Sequence, residues 1–156
     1  MIGSAASPLT LSPSVVADPP IVLAPMAGIT NTAFRRLCRE EMATQLAPGQ
    51  AGGLFVSEMI TTRALVERNA KTMRLIRFEA DETPRSMQLY GVDPKVVGAA
   101  VHMIVAEDLA DHIDLNFGCP VPRSPARAAG RRCRGASVCS RTSCVLPSPA
   151  PRASCR

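Results

Sequence analysis

The stretch Asp114-Leu115-Asn116-Phe117-Gly118-Cys119-Pro120 decides the fold that this sequence predicts. It closes a short apolar strand, predicted over residues 112–116, and presents one cysteine just beyond the end of that strand. In parallel α/β proteins the carboxyl ends of the strands carry the chemistry. The stretch therefore predicts a parallel α/β fold with a candidate catalytic thiol at Cys119.

The upstream sequence alternates between predicted strands and predicted helices. The strands cover residues 21–24, 54–57 and 86–90, and the helices cover residues 32–41, 61–69 and 94–105. Asp93 is a suitable N-cap for the last helix, with Pro94 at its first position. This order indicates one of two architectures. One is an open doubly wound sheet, and the other is a partial (β/α)8 TIM barrel with about its first four β/α units.

Three intervening segments carry more specific expectations. The helix of residues 32–41 is predicted from the period at which Phe34, Leu37 and Cys38 alternate with arginines. Residues 44–53, which are rich in glycine and proline, are expected to form a loop. The charged residues 77–83 are expected to lie outside any core.

The charge of the chain is divided unevenly. Residues 1–120 contain all 13 acidic residues and 10 of the 18 basic ones, whereas the remainder contains eight arginines and no acid. The net charge of +5 over 156 residues is therefore an average of two unlike segments and does not indicate a basic nucleic-acid-binding domain. The chain has no apolar run of membrane-spanning length and no features of a secretory signal, so we expect a cytoplasmic protein.

Composition divides the chain into three segments. Residues 1–20 are predicted to be a disordered leader, residues 21–122 carry the patterned sequence, and residues 123–156 are predicted to be a disordered tail rich in Arg, Ala, Pro, Ser and Cys. The cysteines of the tail are too widely spaced for a zinc site, and the tail has no histidine, so no metal is expected.

The tail has the composition that an out-of-frame, GC-rich message would encode. One allowed set of codons for residues 123–130, read one base upstream, encodes Lys-Val-Thr-Arg-Lys-Gly-Gly-Gly. We interpret the tail as a frameshift product rather than as a selected basic tail.

Four motifs at the predicted strand ends together resemble one known family. They are Ala24-Pro25-Met26-Ala27-Gly28-Ile29-Thr30, Ser57-Glu58-Met59, Gln88-Leu89-Tyr90-Gly91 and residues 114–120. In this order they resemble the flavin-dependent tRNA-dihydrouridine synthases, whose catalytic domain is a (β/α)8 barrel. The resemblance covers about residues 20–122 and implies the N-terminal half of an FMN-binding TIM-barrel domain. The family's later FMN contacts and its helical RNA-binding domain have no counterpart in the chain, so we expect impaired activity.

The resemblance implies a flavin site at the strand ends. Pro25, Met26 and Ala27 would lie against the ring of FMN, and Gln88 would hydrogen-bond to its polar edge. An amide inside an apolar strand costs about 1 to 3 kcal/mol unless it finds partners, so a ligand edge is a natural reason for Gln88. Pro25 and Met26 could also form a plain strand-ending turn.

The resemblance also implies a reaction, the reduction of uridine in tRNA to 5,6-dihydrouridine. NADPH would reduce FMN, the flavin would deliver hydride to C6, and the Cys119 thiol would protonate C5. An unperturbed thiol has a pKa of about 8.5 and can therefore donate a proton at neutral pH. Asn116 would orient the uracil and Glu58 would form a wall of the site. Without this resemblance, Cys119 could be a packing residue and Glu58 a solvated or ion-paired carboxylate.

Two other functions are compatible with the sequence. The chain could be a nucleic-acid-binding protein that uses the basic tail as a disordered clamp on phosphates, or another FMN-dependent TIM-barrel oxidoreductase, such as a relative of dihydroorotate dehydrogenase. Residues 116–120 favour the dihydrouridine synthase over the second of these. In a partial barrel of about four β/α units, the strands of residues 21–24 and 112–116 are expected to have unpaired edges. These edges predict aggregation or dimerisation.

Overall fold

The computed structural model describes residues 6–118 and 143–145, which form a mixed α/β fold with short sheets. Its strands are β1 (Leu9–Ser12), β2 (Val15–Ala17), β3 (Val22–Leu23), β4 (Leu54–Phe55), β5 (Ile60–Thr61), β6 (Ser86–Tyr90), β7 (His112–Leu115) and β8 (Ser143–Val145). Its helices are α1 (Thr32–Ala43), α2 (Thr62–Val66), α3 (Ala70–Leu75) and α4 (Pro94–Ala106).

The parallel strands lie side by side in the order of the sequence. β3 pairs with β4, and β6 pairs in parallel with both β5 and β7. A parallel bridge between Val56 and Ser86 links the residues just after β4 to the start of β6. Among the described strands, the parallel order therefore shows no reversal of the kind that marks a doubly wound sheet.

The strand of residues 86–90 and the helix that follows it are confirmed. The Asp93 carboxylate accepts a hydrogen bond from the N–H of Lys95 at 2.9 Å, and Pro94 occupies the first turn of α4, as the capping pattern predicts. Ile104 of α4 is fully buried in one cluster with Leu89 and Ile113. Because side chains alternate along a strand, the other face of β6 and β7 carries the polar residues and lies away from α4.

The leader differs from the expectation of disorder over residues 9–17. β1 and β2 form an antiparallel hairpin, and Val15 is 1% exposed because it packs with Leu54 and Val56. The backbones of Asp18 and Gly52 then exchange two hydrogen bonds of 2.9 and 2.8 Å. The hairpin is stabilised by contacts far away in sequence, which the composition of the leader could not reveal.

Helix α1 exists as predicted, but its apolar pattern does not determine which side is buried. Arg35 is 1% exposed, whereas Leu37 is 60% exposed. The reason is Glu82, whose buried carboxylate pairs with the Arg35 guanidinium. The expectation that residues 77–83 lie outside any core is therefore wrong at Glu82, because a buried cation requires a buried partner.

The tail is described only at Ser143–Val145, where it forms β8 and pairs antiparallel with β7. The expectations of a disordered tail and of an unpaired edge at residues 112–116 are therefore wrong for these strands. The rest of the tail lies outside the described residues, so its disorder and its frameshift origin stay predictions. In the described part of the chain, no helix is long and apolar enough to cross a membrane, and no group of His, Cys, Asp and Glu could hold a metal ion.

Candidate functional site

A cavity of about 580 Å³ lies on the face of the strands opposite α4. Its apolar lining includes Val22, Leu54 and Val56 from the β3 and β4 side, together with Leu9 and Leu11 of the hairpin. Its polar lining comes from β6, β7 and the turn after β7: Gln88, His112, Asp114 and Asn116. The cavity therefore has one apolar and one polar wall.

The polar wall is built from two cross-strand pairs of β6 and β7. The register sets Ser86 opposite His112 and Gln88 opposite Asp114. Both pairs are hydrogen-bonded, with 2.8 Å between Ser86 Oγ and His112 Nδ1 and 2.5 Å from Gln88 Nε2 to Asp114 Oδ2. Burial lowers the pKa of His112, and the nearby Asp114 carboxylate offsets this only in part. The imidazole is therefore neutral at physiological pH.

Asn116 extends the polar wall beyond the end of β7. Its side-chain nitrogen donates to Gln88 Oε1 at 3.3 Å, and its side-chain oxygen accepts from the N–H of Gly118 at 2.9 Å. Its own N–H donates to the carbonyl oxygen of Leu89 at 2.9 Å. The next residue after Gly118 is Cys119, the predicted general acid, which lies outside the described residues.

The turn after β3 is held by two side chains. The buried Thr30 hydroxyl contacts the backbone N–H and C=O of Met26, at 3.0 and 3.1 Å. The Glu58 carboxylate accepts a hydrogen bond of 2.6 Å from the N–H of Gly28, which has a φ of +76° that favours glycine. Glu58 therefore links the turn after β3 to the segment after β4.

The structure brings together only some of the residues that the sequence grouped into a site. Pro25, Gln88 and Asn116 line the cavity, whereas Met26, Ala27 and Glu58 are not among its lining residues. Their roles toward a ligand stay predictions, as does the role of Cys119.

Asp114 also lines the cavity, although it was not among the site residues predicted from the sequence. Asp114 lies two residues before Asn116 in the strand predicted over residues 112–116, and side chains two apart along a strand point to the same face. The strand period could therefore have identified it.

The fold and the cavity define an α/β protein with a candidate binding site on the face of its parallel strands that lies opposite α4. The family model described as dihydrouridine synthase (Dus) matches residues 22–132, which is more than half of the chain. The chain therefore belongs to the dihydrouridine synthase family.

Several relatives in this family are similar to the chain. It is 55% identical over 122 residues to a probable tRNA-dihydrouridine synthase of Mycobacterium tuberculosis, covering 78% of this chain and 31% of the relative. It is 49% identical over 126 residues to a probable tRNA-dihydrouridine synthase of Mycobacterium leprae, covering 70% and 33%. It is 36% identical over 110 residues to the tRNA-dihydrouridine synthase B of Pseudomonas aeruginosa, covering 70% and 30%. The chain thus spans about a third of the length of these relatives, and no solved structure matches it.

Proposed function

We propose that this chain forms the first β/α units of an FMN-binding (β/α)8 barrel and acts in the synthesis of dihydrouridine in tRNA. The observation that carries the proposal is that Pro25, Gln88 and Asn116 meet around one cavity. They follow or belong to three different parallel strands, and active sites of (β/α)8 barrels are built in this way from strand ends. The sequential order of these strands also supports a barrel rather than a doubly wound sheet.

The residues of the cavity fit a flavin. Pro25, Val22 and Val56 offer an apolar surface suited to the face of a planar ring, and the opposite wall offers two side-chain amides. Gln88 is only 7% exposed, so its polar atoms need partners inside the cavity, and Asp114 and Asn116 supply some of them. We infer that Gln88 contacts the polar edge of FMN and that Pro25 contacts its ring, with Met26 and Ala27 nearby in the same turn.

The chemistry follows from the same arrangement. Bound FMN, with NADPH as its reductant, would supply the hydride for C6 of the uracil. Asn116 orients the uracil, and the Cys119 thiol holds the proton that is given to C5. Glu58 acts on this site through the turn that it holds at Gly28. The reaction takes place on tRNA in the cytoplasm.

The experiment that tests this proposal uses a chimera, because the chain covers 31% of its Mycobacterium tuberculosis relative. Residues 6–120, which include the hairpin that packs on β4, replace the matching segment of that relative, which supplies the rest of its own fold. We expect the chimera to bind FMN and to form dihydrouridine in tRNA with NADPH. A chimera that folds without binding flavin would contradict the proposal.

Two variants of the chimera separate cofactor binding from proton donation. Cys119→Ala should keep the flavin and lose about 100- to 10,000-fold in dihydrouridine formation, the usual contribution of a proton donor. Gln88→Leu should weaken FMN binding. Cys38→Ala, in helix α1, is the matched control and should change neither. Turnover close to that of the parent chimera in Cys119→Ala would refute the role of this thiol.

A further inference from the structure

We propose that Asp114 is a positioning residue that fixes the side-chain amides of Gln88 and Asn116 and, through them, the backbone at Gly118. Four groups form one chain of hydrogen bonds, from the carboxylate of β7 to the residue that precedes Cys119. The inference rests on the proposed function, because that function gives the cavity its ligand. The hydrogen-bond chain itself can be measured without any ligand.

The two ends of this chain of hydrogen bonds, Asp114 and Gly118, determine the orientation of both amides. A carboxylate only accepts hydrogen bonds, so Asp114 requires the NH₂ group of Gln88 on its side, at 2.5 Å. The Gln88 oxygen then faces Asn116, whose NH₂ group donates to it at 3.3 Å. This leaves the Asn116 oxygen toward the N–H of Gly118, which can only donate, at 2.9 Å. Reversing either amide would set two donors or two acceptors against each other.

The surroundings make this orientation costly to change. Gln88 is 7% exposed and the opposite wall is apolar, so a reversed amide would lose its bonds to Asp114 and Asn116 and find no partner on that wall. Gly118 is exposed, and the hydrogen bond to Asn116 is the contact that ties its N–H to the sheet. Asp114, which lies two residues before Asn116, therefore fixes the backbone at Gly118, where the segment that carries Cys119 begins.

The fixed orientation also predicts which chemistry the cavity recognises. The oxygen of Gln88 accepts from Asn116, and its NH₂ group has one more hydrogen than the bond to Asp114 uses. Gln88 therefore presents an N–H donor to the cavity that it lines. A ligand edge with carbonyl oxygens or unprotonated ring nitrogens, as in a flavin, matches this donor.

The test measures the full chain without ligand, by hydrogen exchange and NMR. In Asp114→Ala, the Gly118 N–H should exchange about fivefold to tenfold faster, as expected from the loss of one net hydrogen bond, and the Gln88 side-chain NH₂ signals should shift. Asp114→Asn keeps an acceptor oxygen and should restore most of the protection. The matched control is Asp111→Ala, which breaks the hydrogen bonds of Arg85 at the other end of β7 and should leave Gly118 unchanged.

A second measurement connects the hydrogen-bond chain to the ligand. Quenching of flavin fluorescence on titration should show weaker FMN binding in Asp114→Ala, and no further weakening when Gln88→Ala is already present. This titration uses the chimera described above, and failure of the parent chimera to bind FMN would contradict the proposed function alone. Unchanged Gly118 exchange in Asp114→Ala, or an equal effect in Asp111→Ala, would overturn the positioning role whether or not FMN binds.

Discussion

Replacing Glu82 by glutamine should remove a large part of the stability of this fold. The side chains of Glu82 and Arg35 are each 1% exposed, so solvent does not screen their interaction. Arg35 also donates to the carbonyl oxygen of Thr30 at 2.8 Å, and its guanidinium carbon lies 5.0 Å from the centre of the Phe78 ring. These contacts keep the guanidinium in place when its carboxylate partner is removed.

The expected loss is about 3 to 5 kcal/mol, the usual cost of leaving one charge of a buried pair without its partner. Since domains are stable by about 5 to 15 kcal/mol, the loss should be visible as a large shift of the urea midpoint followed by circular dichroism. The double variant Arg35→Met/Glu82→Leu removes both charges and should recover at least half of the loss.

The matched control for this experiment is another ion pair of α1. Arg36 and Glu40 form a salt bridge of 2.8 Å with side chains 64% and 59% exposed, so Glu40→Gln should leave the midpoint unchanged. The reasoning would be refuted if Glu82→Gln cost no more than Glu40→Gln, or if the double variant were less stable than Glu82→Gln.

Three further predictions concern other parts of the fold. Because burial lowers the pKa of His112, stability should be full above a pH of about 6.5, where the unfolded chain also holds a neutral imidazole, and should fall as the pH drops toward the folded pKa. The urea midpoint, measured between pH 7.5 and 5, should no longer fall with pH in His112→Gln, whereas it should still fall in the exposed control His102→Gln. The same pH dependence in both variants would show that His112 is not its cause. Gly53→Ala should destabilise, since its new Cβ would lie 2.8 Å from a backbone oxygen, whereas Gly98→Ala on α4 meets nothing within 4 Å and should stabilise by about 0.5 to 1 kcal/mol. Val15→Ala should cost about 2 kcal/mol of unfolding free energy because Val15 is buried, and no change would restore the expectation of a disordered leader.

The sequence predicted best those elements that local chemistry determines. The strand of residues 86–90 alternates polar and apolar side chains and has a glycine just after its end, and α4 has an N-cap at Asp93 followed by Pro94, so neighbouring residues suffice to identify them. The grouping of Gln88 with Asn116 followed from a general property of parallel sheets, whose carboxyl ends lie at one edge.

The features that were missed depend on partners far away in the sequence. Arg35 is buried because Glu82 reaches it, and no pattern within α1 contains that information. The hairpin is ordered because β2 packs against β4. Asp114 differs from these, because Asn116 was already a candidate and the strand period places Asp114, two residues earlier, on the same face.

Because of the hairpin, the family match and the folded region begin at different residues of this chain. The segment by which the family is recognised begins at residue 22, after the hairpin has ended. Trimming the chain to that segment would uncover Leu54 and Val56, on which Val15 packs, and would remove the backbone pairing of Asp18 with Gly52. The shortest piece worth expressing therefore starts upstream of β1. In this protein the segment that the family model matches omits a hairpin that packs on its own strands.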